Sequence, residues 1–419
     1  MSRRGRGLLW SYRRLGRDAR LMLVCTALSA VCWGAYGAVW QLYLKSAGYG
    51  GTWIGAYSFI SSLMMTLLVL PAGVLADRVR RKALAILSSS LAVVSVAMVL
   101  ISTVKEVLIA SAVVGGVSWA IGGPAWNALY AETVEDVGMD VGYSANAFVN
   151  SAFASLGSFL GWVPEFTVRS RGLQYFSSYR MFLWGIAAIQ ALSVAPLLLV
   201  RERFKPSGVE RPRFKLKSKG VAARFAVVNV LVGFGAGLSI PLIGYYFSVK
   251  FGVESGPIGT LFAIVNIITA PAFLLAAGIS SRIGTVKGAV VPQAASIPLL
   301  ALIPSSPSFA VASALYIPRA ILMNMANPLI HALMMKLTPE EERGTITAIF
   351  QISWNLPNSA AQQVGGIVMD RVSLDAPLYA TSAIYVVYVT VFYLLFHGFE
   401  REIEEKAESE EAPQEGPSE

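Results

Sequence analysis

Apolar runs of about 20 residues recur along almost the whole of this 419-residue chain, and they constrain its fold more than any other feature. An α-helix rises about 1.5 Å per residue, so about 20 residues cross the roughly 30 Å hydrocarbon core of a bilayer. Inside that core every backbone N–H and C=O must be paired, which a helix achieves by itself. Because 55% of the residues are hydrophobic and only 14% are charged, the composition indicates an all-α membrane protein rather than a soluble enzyme.

We predict twelve transmembrane helices. The predicted spans are Leu21–Leu44, Trp53–Ala76, Ala83–Thr103, Val107–Ala131, Ser144–Val168, Tyr179–Val200, Val221–Val249, Ile258–Ser281, Val286–Ile303, Phe309–Met335, Thr345–Met369 and Leu378–Phe399. The N-terminus has the basic-then-apolar order of a signal peptide, but eleven further spans follow, so we interpret the first span as an uncleaved helix. Cys25 and Cys32 lie two turns apart on that helix, so neither a disulfide between them nor a cysteine metal site is expected.

The basic residues divide unevenly between the two sides of the predicted membrane. If the N-terminus is cytoplasmic, 26 of the 34 Lys and Arg residues lie in cytoplasmic segments. The positive-inside rule therefore predicts a multi-pass protein of the cell membrane with both termini in the cytoplasm. The net charge of +9 follows this topology, so we expect the lipid bilayer and a small-molecule substrate as partners, and no nucleic acid. We expect a monomer.

The chain divides into five predicted segments, and the two longest resemble each other. They are a basic cytoplasmic segment (1–20), an N-terminal six-helix bundle (21–200), a cytoplasmic linker (201–220), a C-terminal six-helix bundle (221–399) and an acidic cytoplasmic tail (400–419). Gly55 matches Gly259 and Pro124 matches Pro328 at the same separation, and the loop "LADRVRRK" matches "ISSRIGTVK". Two pseudo-repeated bundles of six helices are typical of transporters that alternate access by rocking one half on the other.

The loop between spans two and three carries a charged motif. It contains Gly73, Asp77, Arg78, Arg81 and Lys82. In this place the residues resemble the signature of the major facilitator superfamily of secondary transporters, which reads Gly, three residues, Asp, a basic residue, any residue, Gly and two basic residues. The chain has Arg80 in place of the second Gly. The resemblance extends over about Leu21 to Phe399 and implies the fold and transport activity of that superfamily.

The resemblance also implies a conformational latch. It places Asp77 near the start of span eleven, around Gly344 and Thr345, and a motif arginine near Glu132 at the end of span four. A carboxylate is stabilised at a helix N-terminus, and arginine pairs with carboxylates through two N–H groups. The predicted latch residues are Gly73, Asp77, Arg78, Arg81, Lys82 and Glu132. The alternative, an ordinary positive-inside cluster, accounts for the basic residues but not for Asp77.

Polar and aromatic side chains inside the spans are the candidates for substrate binding, because polar groups are costly in a bilayer. The candidates are Arg319, Asn324, Asn327, Gln351, Asn355, Asn358, Gln362, Trp33, Tyr36 and Trp126. The four amides of span eleven share one helical face, which suits a hydrated path or a polar substrate. Arg319 lies about 15 Å along its span, close to mid-bilayer. The alternatives are interhelical hydrogen bonding for the amides and packing for the aromatic residues.

The sequence predicts a carrier rather than an enzyme. It has no phosphate-binding loop, no spaced set of metal ligands and no plausible nucleophile-base pair, so no cofactor is expected. We predict a secondary transporter that moves a small organic solute by alternating access, with export of an amphipathic compound favoured by family similarity around "PEEERGTITAIFQISWNLPNS". Uptake of a sugar or an organic anion, and a transport-inactive receptor or scaffold, are the alternatives. Spans four and five lack the motifs that proton-coupled exporters of this family carry, which argues against proton antiport, and the coupling ion stays open.

Overall fold

The computed structural model describes residues 15–135, 138–202, 218–339 and 342–411. The first half of the chain contains α1 (Arg17–Ser46), α2 (Gly51–Arg78), α3 (Arg81–Ile101), α4 (Lys105–Val134), α5 (Met139–Phe159), α6 (Trp162–Arg171), α7 (Tyr175–Leu192) and α8 (Val194–Leu199). The second half contains α9 (Lys219–Ser239), α10 (Ile243–Phe251), α11 (Ser255–Ile283), α12 (Thr285–Leu302), α13 (Phe309–Met325), α14 (Asn327–Lys336), α15 (Arg343–Arg371) and α16 (Ala376–Glu411). The predicted basic segment, linker and acidic tail fall partly outside the described residues.

Within the described residues, nine helical segments are long and apolar enough to cross a membrane by length and composition. The other three predicted spans coincide with α5, α11 and α15, and polar side chains of α5 and α15 hold neighbouring helices. Ser155 of α5 donates a hydrogen bond of 2.8 Å to the carbonyl of Ala263, and Asn358 of α15 donates one of 3.0 Å to the carbonyl of Gly233. Such bonds are common between membrane helices. The all-helical fold is thus present, while the count of twelve and the internal repeat stay predictions.

Several predicted spans are single runs in the sequence but broken helices in the structure, and each break has a proline beside it. Pro196 follows the junction of α7 and α8, Pro241 lies in the 3₁₀ turn between α9 and α10, and Pro328 lies in the first turn of α14. Proline has no N–H and its ring clashes with the preceding turn, so it is tolerated at the start of a helix but interrupts its interior. These bends position the ends of the spans.

The fifth predicted span, Ser144–Val168, needs correction. The structure ends α5 at Phe159 and begins the separate ten-residue helix α6 at Trp162. The 21 residues of α5 cover about 31 Å, which already crosses a bilayer core. Helix α6 therefore lies beyond the span, and its proline, Pro164, falls in the first turn, where the missing N–H has no helical partner to lose.

The two halves of the chain contact each other toward one end. We call this end, formed mainly by residues 41–55, 155–165, 241–263 and 362–370, the closed end. Lys45 of α1 donates to the hydroxyl of Ser248 over 2.7 Å, and the indole of Trp162 donates to the hydroxyl of Thr260 over 2.8 Å. The side chain of Gln41 bonds to the backbone of the segment that joins α9 to α10. This end is therefore sealed by hydrogen bonds between the halves.

Candidate functional site

An exposed aromatic pair lies about halfway along two helices of the first half. Trp33 of α1 and Trp119 of α4 meet edge to face with ring centroids 5.0 Å apart, and they are 59% and 53% exposed. Trp33, Gly37 and Gln41 form one stripe along α1 because they are four residues apart. Gln41 touches the second half, whereas Gly37 is exposed and has no atom within 4 Å of where a Cβ would be. Along this stripe α1 therefore leaves the second half beyond Gln41, while α5 still contacts α11 through Ser151 and the carbonyl of Asn266. We call the open space next to the aromatic pair the central cleft.

The amides of α15 divide between accessible and buried positions. Gln351 is exposed and Asn355 is half-buried, on the same stripe that packs against α2 nearer the closed end. Asn358 and Gln362 are buried: Asn358 donates to the carbonyl of Gly233 in α9, and Gln362 donates over 2.8 Å to the amide oxygen of Asn358. The structure therefore leaves Gln351 exposed and Asn355 half-buried, while Asn358, bonded by Gln362, holds α15 against α9.

Arg319 lies inside the second half, 3% exposed, rather than on the central cleft. Its guanidinium donates a hydrogen bond of 3.2 Å to the hydroxyl of Tyr385 and lies 5.6 Å from the centre of that ring, which is a cation–π distance. Its Nε has no hydrogen-bond partner, and among the described residues no carboxylate forms an ion pair with it. Arg319 is thus a buried cation stabilised by an aromatic ring and a hydroxyl.

The remaining predicted binding residues lie at different depths and do not form one cluster. Asn324 is half-buried in the last turn of α13, and Asn327 is exposed at the first position of α14. Tyr36 packs its ring 5.6 Å from Trp40 and buries its hydroxyl without a partner. Trp126 packs against the apolar core of the first half. The residue that joins Trp33 is Trp119, an exposed aromatic residue of α4, and not Trp126.

The charged motif after α2 is bonded within the first half of the chain. Arg81, the first residue of α3, forms an ion pair with Glu132 near the end of α4. Lys82 donates to the carbonyls of Leu198 and Val200 over 2.6 Å and 2.9 Å, which are orphan acceptors at the end of α8. A cation at a helix C-terminus satisfies these carbonyls and the helix dipole. Arg81 and Lys82 therefore tie the start of α3 to the ends of two other helices.

The other predicted latch residues are less constrained. Arg78 is exposed as the last residue of α2, and Gly73 is half-buried with no atom within 4 Å of where a Cβ would lie. The side chain of Asp77 is outside the described part of the chain. Gly344, near which the family resemblance places that aspartate, is exposed and has no atom within 4 Å of where a Cβ would lie. The contact between Asp77 and the start of α15 therefore stays a prediction.

Two carboxylates that the sequence did not single out hold the halves together at the closed end. Asp370, at the end of α15, accepts hydrogen bonds from the N–H groups of Gly51 (2.8 Å) and Thr52 (2.7 Å) and from the hydroxyl of Tyr245 (3.1 Å). Glu165 of α6 is 5% exposed and accepts a bond of 2.7 Å from the N–H of Gly256. Each carboxylate thus belongs to one half and caps the first turn of a helix in the other, where the helix dipole favours an anion.

The two carboxylates have opposite pKa shifts. Burial raises the pKa of Glu165, and the bond from Gly256 and the charge of Arg169 offset this only in part. Burial also acts to raise the pKa of Asp370, but bonds from the backbone and side chain of Thr52, from Gly51 and from Tyr245 outweigh it and lower the pKa. Among the described residues, no group of three or more His, Cys, Asp or Glu could hold a metal ion.

Comparisons with known proteins agree with this architecture. The family model described as Major Facilitator Superfamily matches residues 225–417. The nucleoside transporter NupG is similar in structure with a TM-score of 0.70 and 15% identity, over 90% of this chain and 98% of that one. A bacterial homologue of the human lysosomal transporter Spinster, inward-facing and occupied, has a TM-score of 0.67 and 14% identity, over 94% of this chain and 98% of that one. The human organic anion transporter MFSD10 has a TM-score of 0.58 and 17% identity, over 90% of this chain and 99% of that one.

At these identities the solved structures show a shared fold and no more. The family model matches the second half of the chain, and the solved structures resemble it over nearly the whole length, so the chain is similar to the major facilitator superfamily in sequence over one half and in fold over both. Members of this superfamily are transporters, not enzymes. None of the curated proteins compared with the chain matches it significantly.

Proposed function

We propose that this protein is a secondary transporter that moves a small amphipathic organic solute across the membrane by alternating access. The observation that carries the proposal is the central cleft, which is sealed at one end and exposes the Trp33 and Trp119 rings at mid-depth. Aromatic faces bind planar or apolar groups, and the exposed amide of Gln351 supplies both a donor and an acceptor. A solute with one apolar and one polar part fits this pair of surfaces.

The predicted topology gives the side of the membrane from which the central cleft is reached. If both termini are cytoplasmic, the closed end faces outward and the central cleft is reached from the cytoplasm, because α2 begins at the closed end and α3 at the opposite end. A cleft that loads from the cytoplasm supports export. Uptake uses the same cycle in reverse, so the direction rests on which gradient drives the protein.

The test combines binding and flux. Purified protein is screened by thermal shift against amphipathic drugs, sugars and organic anions, and each hit is then assayed for flux in proteoliposomes. Trp119→Ala is expected to lower the affinity for an amphipathic hit about tenfold, since an aromatic contact contributes about 1 kcal/mol and the burial of the ring adds to it. Trp184→Ala, an exposed tryptophan of α7 outside this pair, is the matched control. Binding without flux would instead support a receptor or scaffold.

An organic anion is a second candidate substrate, and Arg319 favours it. This guanidinium is buried without a carboxylate partner among the described residues, which is unusual because a buried charge is normally paired. A second transporter conformation that brings the cleft to Arg319 would let a substrate carboxylate, sulfonate or phosphate complete its coordination. The amphipathic and anionic candidates are compatible, because one solute can carry both an aromatic ring and an acid.

A further inference from the structure

Two pairs of closely packed helices form the closed end, and we call their contacts the α2/α15 seam and the α5/α11 seam. In the α2/α15 seam, a Cβ on Gly55 would lie 2.5 Å from the carbonyl oxygen of Gln362. In the α5/α11 seam, a Cβ on Gly259 would collide with the carbonyl oxygen of Ser158. Real Cβ atoms do not approach that closely, so both seams need glycine at these positions. Gly55 and Gly259 are the two glycines that the sequence matches between the halves, and each packs its own half against the other.

Each seam ends in a carboxylate that caps a helix of the other half. Asp370 caps α2 through the N–H groups of Gly51 and Thr52, and Glu165 caps α11 through the N–H of Gly256. The repeat separation of 204 that matches Gly55 to Gly259 also matches Thr52 to Gly256. The two caps therefore occupy corresponding places at the closed end. They differ in the pKa of the carboxyl group, which is raised for Glu165 and lowered for Asp370.

The surroundings of the two caps explain that difference. Asp370 is solvent-accessible and has three donors, so its negative charge is well compensated. Glu165 is nearly fully buried with one backbone donor, and its second oxygen lies 3.8 Å from Arg169, whose side chain is 76% exposed. The other ionisable groups that interact with Glu165 are Glu254, before α11, and Tyr175 of α7. Glu254 accepts from the hydroxyl of Tyr179 and adds a second negative charge.

We infer that the closed end is a proton-sensitive closure, in which Glu165 takes up a proton from water when the halves close while Asp370 stays ionised. The inference deepens the proposed function, since it presumes that this end opens during transport. Opening separates α6 from α11 and returns Glu165 to water, where its carboxyl loses the proton. Closing buries the carboxyl beside Glu254, where burying the neutral form costs less free energy than burying the charged form.

The direction of the pH effect follows from the two shifts. The pKa of Glu165 is higher in the closed state than for an exposed glutamate, so proton binding favours closure, and closure weakens as pH rises through that pKa. The pKa of Asp370 is lower in the closed state, so the stabilisation that ionised Asp370 gives to the closed state is lost as pH falls through that pKa. Closure is therefore strongest between the two pKa values, and mild acidification on this side promotes it.

The test measures conformation and needs no substrate. Cys25 and Cys32 are replaced by alanine, cysteines are introduced at the exposed positions Gln174 and Ser305, and a spin label is attached to each. Pulsed electron paramagnetic resonance in nanodiscs then gives the distance between the halves at the closed end, from about pH 5 to 8. The parent protein is expected to shift toward the short distance as the pH falls.

Glu165→Gln mimics the protonated carboxyl and keeps an acceptor for Gly256, so we expect the short distance at every pH and a loss of most of the pH response. Asp370→Asn offers one amide oxygen to two N–H groups, so we expect a several-fold smaller closed fraction with the pH response retained. Glu106→Gln neutralises an exposed carboxylate at the start of α4, at the same end, and should behave like the parent.

A Glu165→Gln protein that keeps the parent's pH response would overturn the inference. If that variant fails to fold, the Arg169→Gln variant provides the test. The side chain of Arg169 is exposed and tolerates replacement, and its charge lowers the pKa of Glu165. We expect its transition midpoint to move to higher pH, and an unchanged midpoint would contradict the inference. A proton-sensitive closure in a protein with no flux would refute the proposed function alone, whereas flux without a pH-dependent closure would refute only this inference.

Discussion

At the scale of single residues, Arg319 shows how a charge is held inside the second half. Placing an arginine at mid-bilayer costs roughly 2.5 to 3.5 kcal/mol on insertion scales, so the side chain is expected to face the protein with partners. The structure supplies the hydroxyl and the ring of Tyr385 and leaves Nε free. A hydroxyl and a ring do not neutralise the charge, and this leaves a place for an anionic group of a substrate.

We predict that Arg319→Lys retains part of the affinity for an organic anion and Arg319→Gln loses most of it. Lysine keeps the charge without the planar fork, whereas glutamine keeps hydrogen bonding without the charge. A charged hydrogen bond contributes about 1.5 to 3 kcal/mol, so the glutamine variant should bind roughly ten- to a hundredfold more weakly in isothermal titration. Tyr385→Phe is the control and should lower thermal stability while keeping the affinity. Equal affinity in all variants would leave Arg319 with a packing role.

The amides of α15 show what a sequence can and cannot specify at this scale. Their spacing correctly places Gln351, Asn355, Asn358 and Gln362 on one broad face of a helix, because helical periodicity is a local property. It does not specify which neighbour covers each turn of that face. Helix α9 covers Asn358, while Gln351 stays exposed. The same limit explains why Trp119, rather than Trp126, joins Trp33: only the tertiary fold brings one turn of α4 to α1.

At the scale of helices, the sequence locates most spans because apolar length and proline positions are local signals. Its boundary for span five is wrong because the apolar residues of α6 continue the pattern after α5 has ended at Phe159. The sequence therefore places the carboxylate of Glu165 near the outer end of span five, with no partner assigned. In the structure it caps a helix of the other half, a contact that no spacing within one segment can reveal.

Replacing Gly55 by alanine is predicted to open the closed end. The new methyl group would meet the carbonyl of Gln362, so α2 and α15 must move apart. Overpacking of this kind costs about 1 to 3 kcal/mol, and about 1.4 kcal/mol is a tenfold change in an equilibrium. The spin-label pair at Gln174 and Ser305 should therefore show a closed fraction reduced about tenfold. Gly37→Ala, where nothing lies within 4 Å, is the control and should leave the distance distribution unchanged.

At the scale of the whole molecule, the sequence predicts two halves that move on each other but not which conformation the chain adopts. Both conformations of an alternating-access protein must be compatible with one sequence, so their difference in free energy is small and no residue pattern encodes it alone. The structure shows the conformation in which glycine seams and carboxylate caps close one end. In the proposed transport cycle, the opposite conformation breaks these contacts and forms others at the far end.

The predicted latch at Asp77 is where those other contacts would form, and this gives the prediction that tests the cycle as a whole. Asp77→Asn removes the charge that would stabilise the start of α15 near Gly344, and it keeps the size of the side chain. Losing a charge–dipole contact of about 0.5 to 1 kcal/mol should shift the population two- to fivefold toward the conformation described here. The spin-label distance at the closed end should then shorten, and proteoliposome flux should fall because the return step is slowed. Arg80→Gly restores the residue of the family signature and should change neither quantity. Parent-like flux and distances in properly inserted Asp77→Asn protein would show that Arg81 and Lys82 act only as braces within the first half, through Glu132 and the end of α8.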